Sequence, residues 1–389
     1  MSHRIAMFLP SLGGGGAERV FVNLSQELVQ RGWLVDMVLV RAEGSLLKQL
    51  HPDVAVRDLR CTRTASAILP LRKYLEIHRP HLLLSAMTHA NIVALLARGM
   101  SRHKLPTVVT EHNNLSHKLR HCRRMGGMLF PVLIRLLYTR AEAIVAVSAG
   151  VARDLSRYTR VREEKIHVIY NPVVTEGMMA KAREAVEHPW LLSKQDKVIL
   201  SVGRLTKQKD YETLLHAFAM VRSRMPVKLV LLGEGEERES LWGLAERLGV
   251  SQHVDMPGFV ENPYSYMRAA DVFVLSSRWE GLSNVLVEAL AVGTPVVSTD
   301  CPYGPAEILK DGALGRLCAV GDAKALAEAI IETLNAPPPP AEPPHYMAFT
   351  VEYVANRYVE LFERLIGNAS ARPIGGATGE TGQEASHPR

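Results

Sequence analysis

The feature that most limits the folds open to this chain is an alternation of short apolar strands and helical segments that runs once and then starts again. Strands read at Ile5–Leu9, Leu34–Val40, Val54–Leu59, Leu82–Ala86, Thr107–Glu111, Ala143–Val147 and Ile166–Tyr170. Helical spacing lies between them, as over Ala17–Arg31 and Ala65–Arg79. From Lys197 the pattern restarts, with strands at Val198–Val202, Lys228–Leu232 and Asp271–Leu275 and helices over Tyr211–Met225 and Glu236–Leu248. Such alternation with short connections specifies parallel sheets covered by helices. A length of 389 residues suits two such units. The expected domains are residues 1–172 and 173–340, hinged near Asn171-Pro172-Val173-Val174. Ligands of open α/β sheets bind beyond the carboxyl ends of the strands, so two facing sheets predict a cleft between them.

The run Ala336–Pro344, APPPPAEPP, reads as an extended connector, because proline neither continues a helix nor donates to a sheet. Beyond it, apolar residues at 351, 354, 358, 361, 362 and 365 predict an amphipathic helix. The small, polar, glycine-rich residues 367–389 are expected to be disordered. The longest apolar stretch, MLFPVLIRLLY, is broken by Pro131 and Arg135 and is too short to span a bilayer. The amino terminus shows no signal-peptide pattern. Cys61, Cys122, Cys301 and Cys318 have no framework spacing, so reduced thiols and a cytoplasmic location are expected.

Charge separates the halves. Residues 1–170 hold 25 Lys and Arg against 12 Asp and Glu, which leaves 21 against 28 of the totals of 46 and 40 for the remainder. A basic first half points to an anionic partner there. No nucleic-acid-binding motif is present and aromatics are only 6%, so a phosphate-bearing acceptor or an anionic membrane surface is the expected partner, not nucleic acid. The stretch Leu115–Arg140 interleaves basic and apolar residues, as interfacial helices do, though an ordinary surface helix followed by a core helix has the same pattern.

The stretch Ser276–Thr299, SSRWEGLSNVLVEALAVGTPVVST, carries the most chemistry. Glu288 is the only charged side chain between Glu280 and Asp300, and its helix face holds Val285, Ala291 and Val292. A carboxylate there is heavily desolvated unless something hydrogen-bonds to it. The turn Glu280-Gly281-Leu282-Ser283-Asn284 adds a second carboxylate and an N-cap at Ser283 or Asn284, and free amides at a helix start can seat a phosphate. Two carboxylates flanking such a seat suit a nucleotide sugar. A core helix whose glutamate pairs with an internal cation fits the same spacing. Three further loops follow strands: Gly13–Gly16 before Ala17-Glu18-Arg19, Gly203-Arg204-Leu205-Thr206-Lys207-Gln208-Lys209, and Thr110-Glu111-His112. Glycines let amides approach a phosphate, Arg204 offers a planar fork, and Lys209 (or, less favoured, Lys207) a compact charge. A bare strand–helix turn, a solvated basic loop and a structural histidine are the respective alternatives. His117 and His121 are four apart but lack the carboxylates of a metal motif.

In EGLSNVLVEALAVGTPVV, Glu280 and Glu288 form an E-x7-E pair that resembles the retaining GT-B glycosyltransferases, specifically glycosyltransferase family 4. GGAERV, VAVSAGV, IYNPV, SVGRLTKQKDYETLLHAF, LLGEGEER and ADVFVLSSRWEG extend the resemblance in order from about Arg4 to Leu365. It implies a GT-B fold of two Rossmann-like domains, with the last helix, residues 346–366, crossing back onto the first domain. It also implies retaining transfer of a hexosyl unit from a UDP- or GDP-sugar to a glycan or polyprenyl-linked acceptor of polysaccharide or lipopolysaccharide synthesis. On that resemblance Glu280, His112, Arg204 and Lys209 are catalytic, and Glu288, Gly281, Leu282, Ser283, Asn284 and Gly203 bind the donor. Gly14, Gly15 and Gly16 line the phosphate and acceptor side. No Asp-x-Asp occurs, so neither metal nor cofactor is expected, with Arg, Lys and helix amides taking the place of Mg²⁺. The expected location is cytoplasmic, with peripheral contact at the inner face of the cytoplasmic membrane as the option that the basic first half adds. The same fold houses non-hydrolysing nucleotide-sugar epimerases, and a non-catalytic nucleotide-sugar binder is the remaining alternative.

Overall fold

The computed structural model describes residues 3–116, 129–193 and 195–370. His117, His121, Cys122 and the basic centre of the 115–140 stretch lie outside the described residues, as do residues 371–389.

Seven parallel strands form the first sheet: β1 (Arg4–Leu9), β2 (Leu34–Leu39), β3 (Ala55–Asp58), β4 (Leu82–Ala86), β5 (Thr107–Glu111), β6 (Ala143–Ala146) and β7 (Ile166–Val168). Six more form the second: β8 (Lys197–Val202), β9 (Val227–Leu232), β10 (Val254–Gly258), β11 (Val272–Leu275), β12 (Val296–Thr299) and β13 (Arg316–Cys318). The orders are β3-β2-β1-β4-β5-β6-β7 and β10-β9-β8-β11-β12-β13. In each sheet the direction of winding reverses beside the first strand, between β1 and β4 and between β8 and β11, and a crevice opens at such a reversal. The expected architecture of two Rossmann-like parallel-sheet domains is therefore present. β10 and β13 carry no strong strand pattern. Pro257 interrupts the first, and Arg316–Cys318 is only three residues at the sheet edge.

The central strands read as unbroken apolar runs because helices bury both faces. Ile5, Met7 and Leu9 of β1 face one way and Ala6 and Phe8 the other, and all are fully buried. A further apolar cluster is shared between the domains, running from Val109, Ala146 and Val151 to Leu282, Leu286 and Val287.

Two expectations about the carboxyl-terminal part change. Pro343 and Pro344 do not continue the extended connector but open a short helix, Pro343–Tyr346, where the missing N–H of proline would have had no intrahelical partner. The crossing helix is Val351–Ser370, so it takes in residues 367–370 of the expected tail. Once its apolar face is anchored, adding a residue to a helix is far easier than nucleating one. Val354, Ala355, Tyr358, Leu361, Phe362 and Ile366 join the cluster of the first domain, with the Phe362 ring 5.9 Å from Trp33 and 5.5 Å from Tyr358. Phe362→Ala should lower the unfolding free energy by about 3–5 kcal/mol in chemical denaturation, the usual effect of emptying a closed aromatic site.

Candidate active site

Four loops at the two winding reversals and their neighbours converge in the cleft. The first follows β1, where the amides of Gly14 and Gly15 donate to Glu18 Oε2 at 2.7 and 2.8 Å. The glycine loop is thus closed by its own helix, Gly16–Gln30, and these two amides already have an acceptor. Gly16 lies where an added Cβ would stand 3.3 Å from Asn284 Nδ2, which puts the loop beside the start of the helix Asn284–Ala291. Arg19, one turn on, donates from Nη1 to the Tyr264 hydroxyl of the second domain at 2.7 Å.

The second loop follows β5. Glu111, fully buried, accepts from Thr88 Oγ1 at 3.0 Å, from Asn91 Nδ2 at 3.2 Å and from the Tyr138 hydroxyl. A buried carboxylate so satisfied fixes the strand end. His112 comes next, its Nε2 2.9 Å from Thr110 Oγ1 and its ring edge-on to Phe21 at 6.4 Å.

The third loop follows β8. A Cβ on Gly203 would lie 3.0 Å from both Lys209 Cε and the Tyr211 hydroxyl, so glycine leaves the space that Lys209 occupies. Lys209 Nζ reaches Glu280 Oε1 at 2.7 Å, and Ser277 Oγ donates to the same oxygen at 2.7 Å. Arg204 is exposed, and among the described residues its side chain makes no hydrogen bond or ion pair.

The fourth loop follows β11 and holds the Glu280 turn. A Cβ on Gly281 would be 2.0 Å from the His112 carbonyl oxygen, so only glycine permits this approach. Leu282 turns its side chain into the shared core at 2% exposure, leaving only its backbone for the cleft. Ser283 is the N-cap of the helix Asn284–Ala291 as expected, but its side chain does not cap. It has φ 76°, and its Oγ is buried with no partner. Asn284 Oδ1 instead accepts from Asn171 of the hinge at 2.7 Å.

Glu288 completes the site at 6% exposure, its carboxylate without a hydrogen bond among the described residues. Burial raises its pKa above the usual carboxylate value, opposed by the positive charges of Arg19 and Lys209. Tyr264, buried and facing Glu288, is pushed up to about 12. The alternative reading, a core glutamate paired with an internal cation, is not what the described residues show: Arg19 and Lys209 act on Glu288 through their charge, without an ion pair. Glu280, His112, Lys209, Glu288, Ser283, Asn284 and the glycine loop thus share one cleft. Arg19, Tyr264, Ser277 and Asn171 join them without having been singled out for the site, although Arg19, Asn171 and Ser277 stand within GGAERV, IYNPV and ADVFVLSSRWEG and Asn171 was read as part of the hinge. Among the described residues no group of three His, Cys, Asp or Glu is arranged to hold a metal, and no helix is long and apolar enough to cross a membrane.

The family described as Glycosyl transferases group 1 matches residues 183–348, and Glycosyltransferase Family 4 matches residues 14–176. Over 342 residues, 84% of this chain and 89% of its relative, the sequence is 31% identical to the N-acetylgalactosamine-N,N'-diacetylbacillosaminyl-diphospho-undecaprenol 4-alpha-N-acetylgalactosaminyltransferase of Campylobacter jejuni. It is 32% identical over 322 residues, 81% and 84% of the two chains, to the lipopolysaccharide core biosynthesis glycosyltransferase LpsE of Rhizobium meliloti. Among solved structures, sucrose-phosphate synthase from Thermosynechococcus elongatus superposes with a TM-score of 0.79 at 20% identity, covering 94% of this chain and all of the other. Anabaena HepE in complex with UDP gives 0.75 at 21%, covering 93% and 100%.

The raised pKa of Glu288 has a stability signature. Its unfolded value is near 4.5 and its folded value is higher, so the stability associated with its protonated form is full below about pH 4.5 and is lost as pH rises through the folded value. Glu288→Gln removes that loss. Without ligand, the variant should melt above the parent protein at pH 7–8, and the gap should close towards about pH 4.5 in thermal scans.

Proposed function

This chain is a GT-B glycosyltransferase of the group that joins a family 4 and a group 1 module, and on that premise we propose a retaining, metal-independent transfer of a hexosyl unit from a nucleoside-diphosphate sugar. The acceptor proposed is a lipid-linked or lipopolysaccharide glycan. The relatives whose names give such acceptors, from C. jejuni and R. meliloti, match over most of their length.

The observation that carries the proposal is the desolvated, unbonded carboxylate of Glu288 beside a helix start whose Ser283 hydroxyl also lacks a partner. A buried acceptor without a donor is unfavourable unless a ligand supplies one. Ribose hydroxyls are donors of the right kind. The amides after Gly281 and the Ser283 hydroxyl would then hold diphosphate oxygens, with the helix dipole favouring the negative charge. Lys209, shared between Glu280 and the diphosphate, would offset charge on the leaving group, and exposed Arg204 would fold over it. Glu280, fixed by Lys209 and Ser277, would accept from hydroxyls of the transferring sugar, with His112 across from it. Retention would follow a same-face route in which the departing phosphate oxygen takes the acceptor's proton.

Screening UDP- and GDP-sugars by thermal shift tests the donor, which at about a hundred times its Kd should stabilise the fold by about 2.7 kcal/mol. Turnover should survive excess EDTA. Loss with chelator and return with Mg²⁺ or Mn²⁺ would refute the phosphate assignment. Ribose changes little during reaction, so Glu288→Gln should raise donor KM by about 10-fold with kcat nearly kept. Glu280→Gln should depress kcat while calorimetric affinity for the free nucleoside diphosphate persists. Loss of nucleotide by Glu280→Gln and its retention by Glu288→Gln would reverse the roles.

We also propose peripheral contact of the first domain with an anionic membrane. The 118–124 basic cluster lies outside the described residues, but the open edge at β3 supplies a second surface. Val56 and Ile77 are exposed there at 41 and 63%, beside exposed Arg60, Lys73 and Asp58. Each basic residue near such a surface contributes about 1 kcal/mol. The protein should sediment with anionic liposomes and be released by high salt. Equal binding to neutral liposomes would remove the idea.

A further inference from the structure

Glu307 belongs to the second domain, yet its carboxylate is spent on the first. Ala149 N–H, the first amide of the helix Ala149–Tyr158, donates to Glu307 Oε1 and Oε2 at 2.9 and 3.0 Å. The Tyr170 hydroxyl, just after β7, donates to Oε1 at 2.7 Å. The first amides of a helix have no intrahelical acceptor, and a negative charge there is favoured by the helix dipole. The helix start is therefore completed by a residue of the other domain. Its neighbour Ser148 caps Val151 N–H and also donates from Oγ to the Gly281 carbonyl at 2.8 Å, so the same helix start touches the Glu280 turn directly.

The segment leading into Glu307 is bonded to that turn as well. Glu280 N–H donates to the Pro302 carbonyl at 2.8 Å, and Tyr303 N–H donates to the Glu280 carbonyl at 3.1 Å. Gly304 approaches so closely that a Cβ would lie 2.4 Å from the Leu282 carbonyl oxygen, and Gly150 of the first domain leaves the space taken by the Tyr303 ring. Glu280 thus hangs between two supports, its own backbone pairing and a segment anchored on the first domain through Glu307.

We propose that Glu307 is a positioning residue that sets the Glu280 turn against the first domain. It contacts neither donor nor acceptor, but acts through Pro302–Gly304 to hold the Glu280 carboxylate in register with His112 across the cleft. This rests on the assignment of Glu280 to the transferring sugar, so the test has one arm that needs no substrate.

In hydrogen-exchange measurements on the ligand-free full chain, Glu307→Ala should speed exchange at two amides, Ala149, which loses its acceptor, and Glu280, which does not touch Glu307. Tyr170→Phe, which removes only one donor, should do the same more weakly. With the donor found by the screen, Glu307→Ala should lower kcat by about 10- to 150-fold, the range for removing a charged hydrogen-bond acceptor. Calorimetric affinity for the free UDP or GDP should stay within about threefold. Glu307→Gln, which keeps a carbonyl oxygen for Ala149 and Tyr170, should restore most of the rate. The Glu307→Ala and Tyr170→Phe effects should be non-additive, as for partners in one contact. Faster exchange at Ala149 alone would make Glu307 a helix cap and nothing more, and would overturn the proposal. So would parallel loss of nucleotide affinity and kcat, which would place its effect within the donor site. Exchange that changes at both amides without a change in turnover would keep the brace and reject the role given to Glu280. If Glu307→Ala fails to fold, Tyr170→Phe carries the exchange and kinetic comparisons, with Glu307→Gln as the reference that keeps the contact.

Discussion

Everything in the cleft depends on how closely the Glu280 turn approaches the end of β5. The His112 carbonyl occupies the volume that a side chain at position 281 would need, 2.0 Å from an ideal Cβ. Glycine at that point lets the second domain's turn lie directly on the first domain's strand end. Around it, Ser148 donates to the Gly281 carbonyl and Leu282 fills the shared core. A carboxylate on one domain and a histidine on the other can then face one small volume, the geometry that orientation-dependent chemistry requires.

The charges of the site are arranged at the expense of stability. Glu280 is compensated by Lys209 and Ser277, which fix its orientation. Glu288 is only partly compensated, by the charges of Arg19 and Lys209, and burial raises its pKa. Groups held in an unfavourable state where a ligand would satisfy them are a common feature of binding sites, and removing such a group often stabilises the empty protein. The unpartnered Ser283 hydroxyl, on a residue held at positive φ, belongs to the same pattern.

The hinge is tied to this arrangement by amides. Asn171 donates to Asn284 at the head of the Glu288 helix, and Asn23, on the helix after the glycine loop, donates to the Pro172 carbonyl at 2.8 Å. The chain crosses back at Thr350, which bridges to Val174, before the last helix packs on the first domain. The first crossing between the domains is thus tied through Asn171 to the head of the Glu288 helix.

By itself the sequence determined the architecture, because burial on both faces of a parallel sheet demands apolar strand runs that stand out in any window. It also located the loops that matter, since glycines and lone charges at strand ends break those runs. Glu280 and Glu288 were legible for that reason, one in a polar turn and one isolated on an apolar helix. Only the tertiary structure decided their electrostatic states. Lys209 pairs with Glu280 across about seventy residues of chain, and Arg19 approaches Glu288 from the other domain. No local pattern signals a contact whose partners are so far apart. Glu18 closing the glycine loop, Gly281 accommodating a carbonyl and Glu307 completing a foreign helix are of the same kind. Each residue type is ordinary where it stands in the sequence, and its role follows from a neighbour that only folding brings to it.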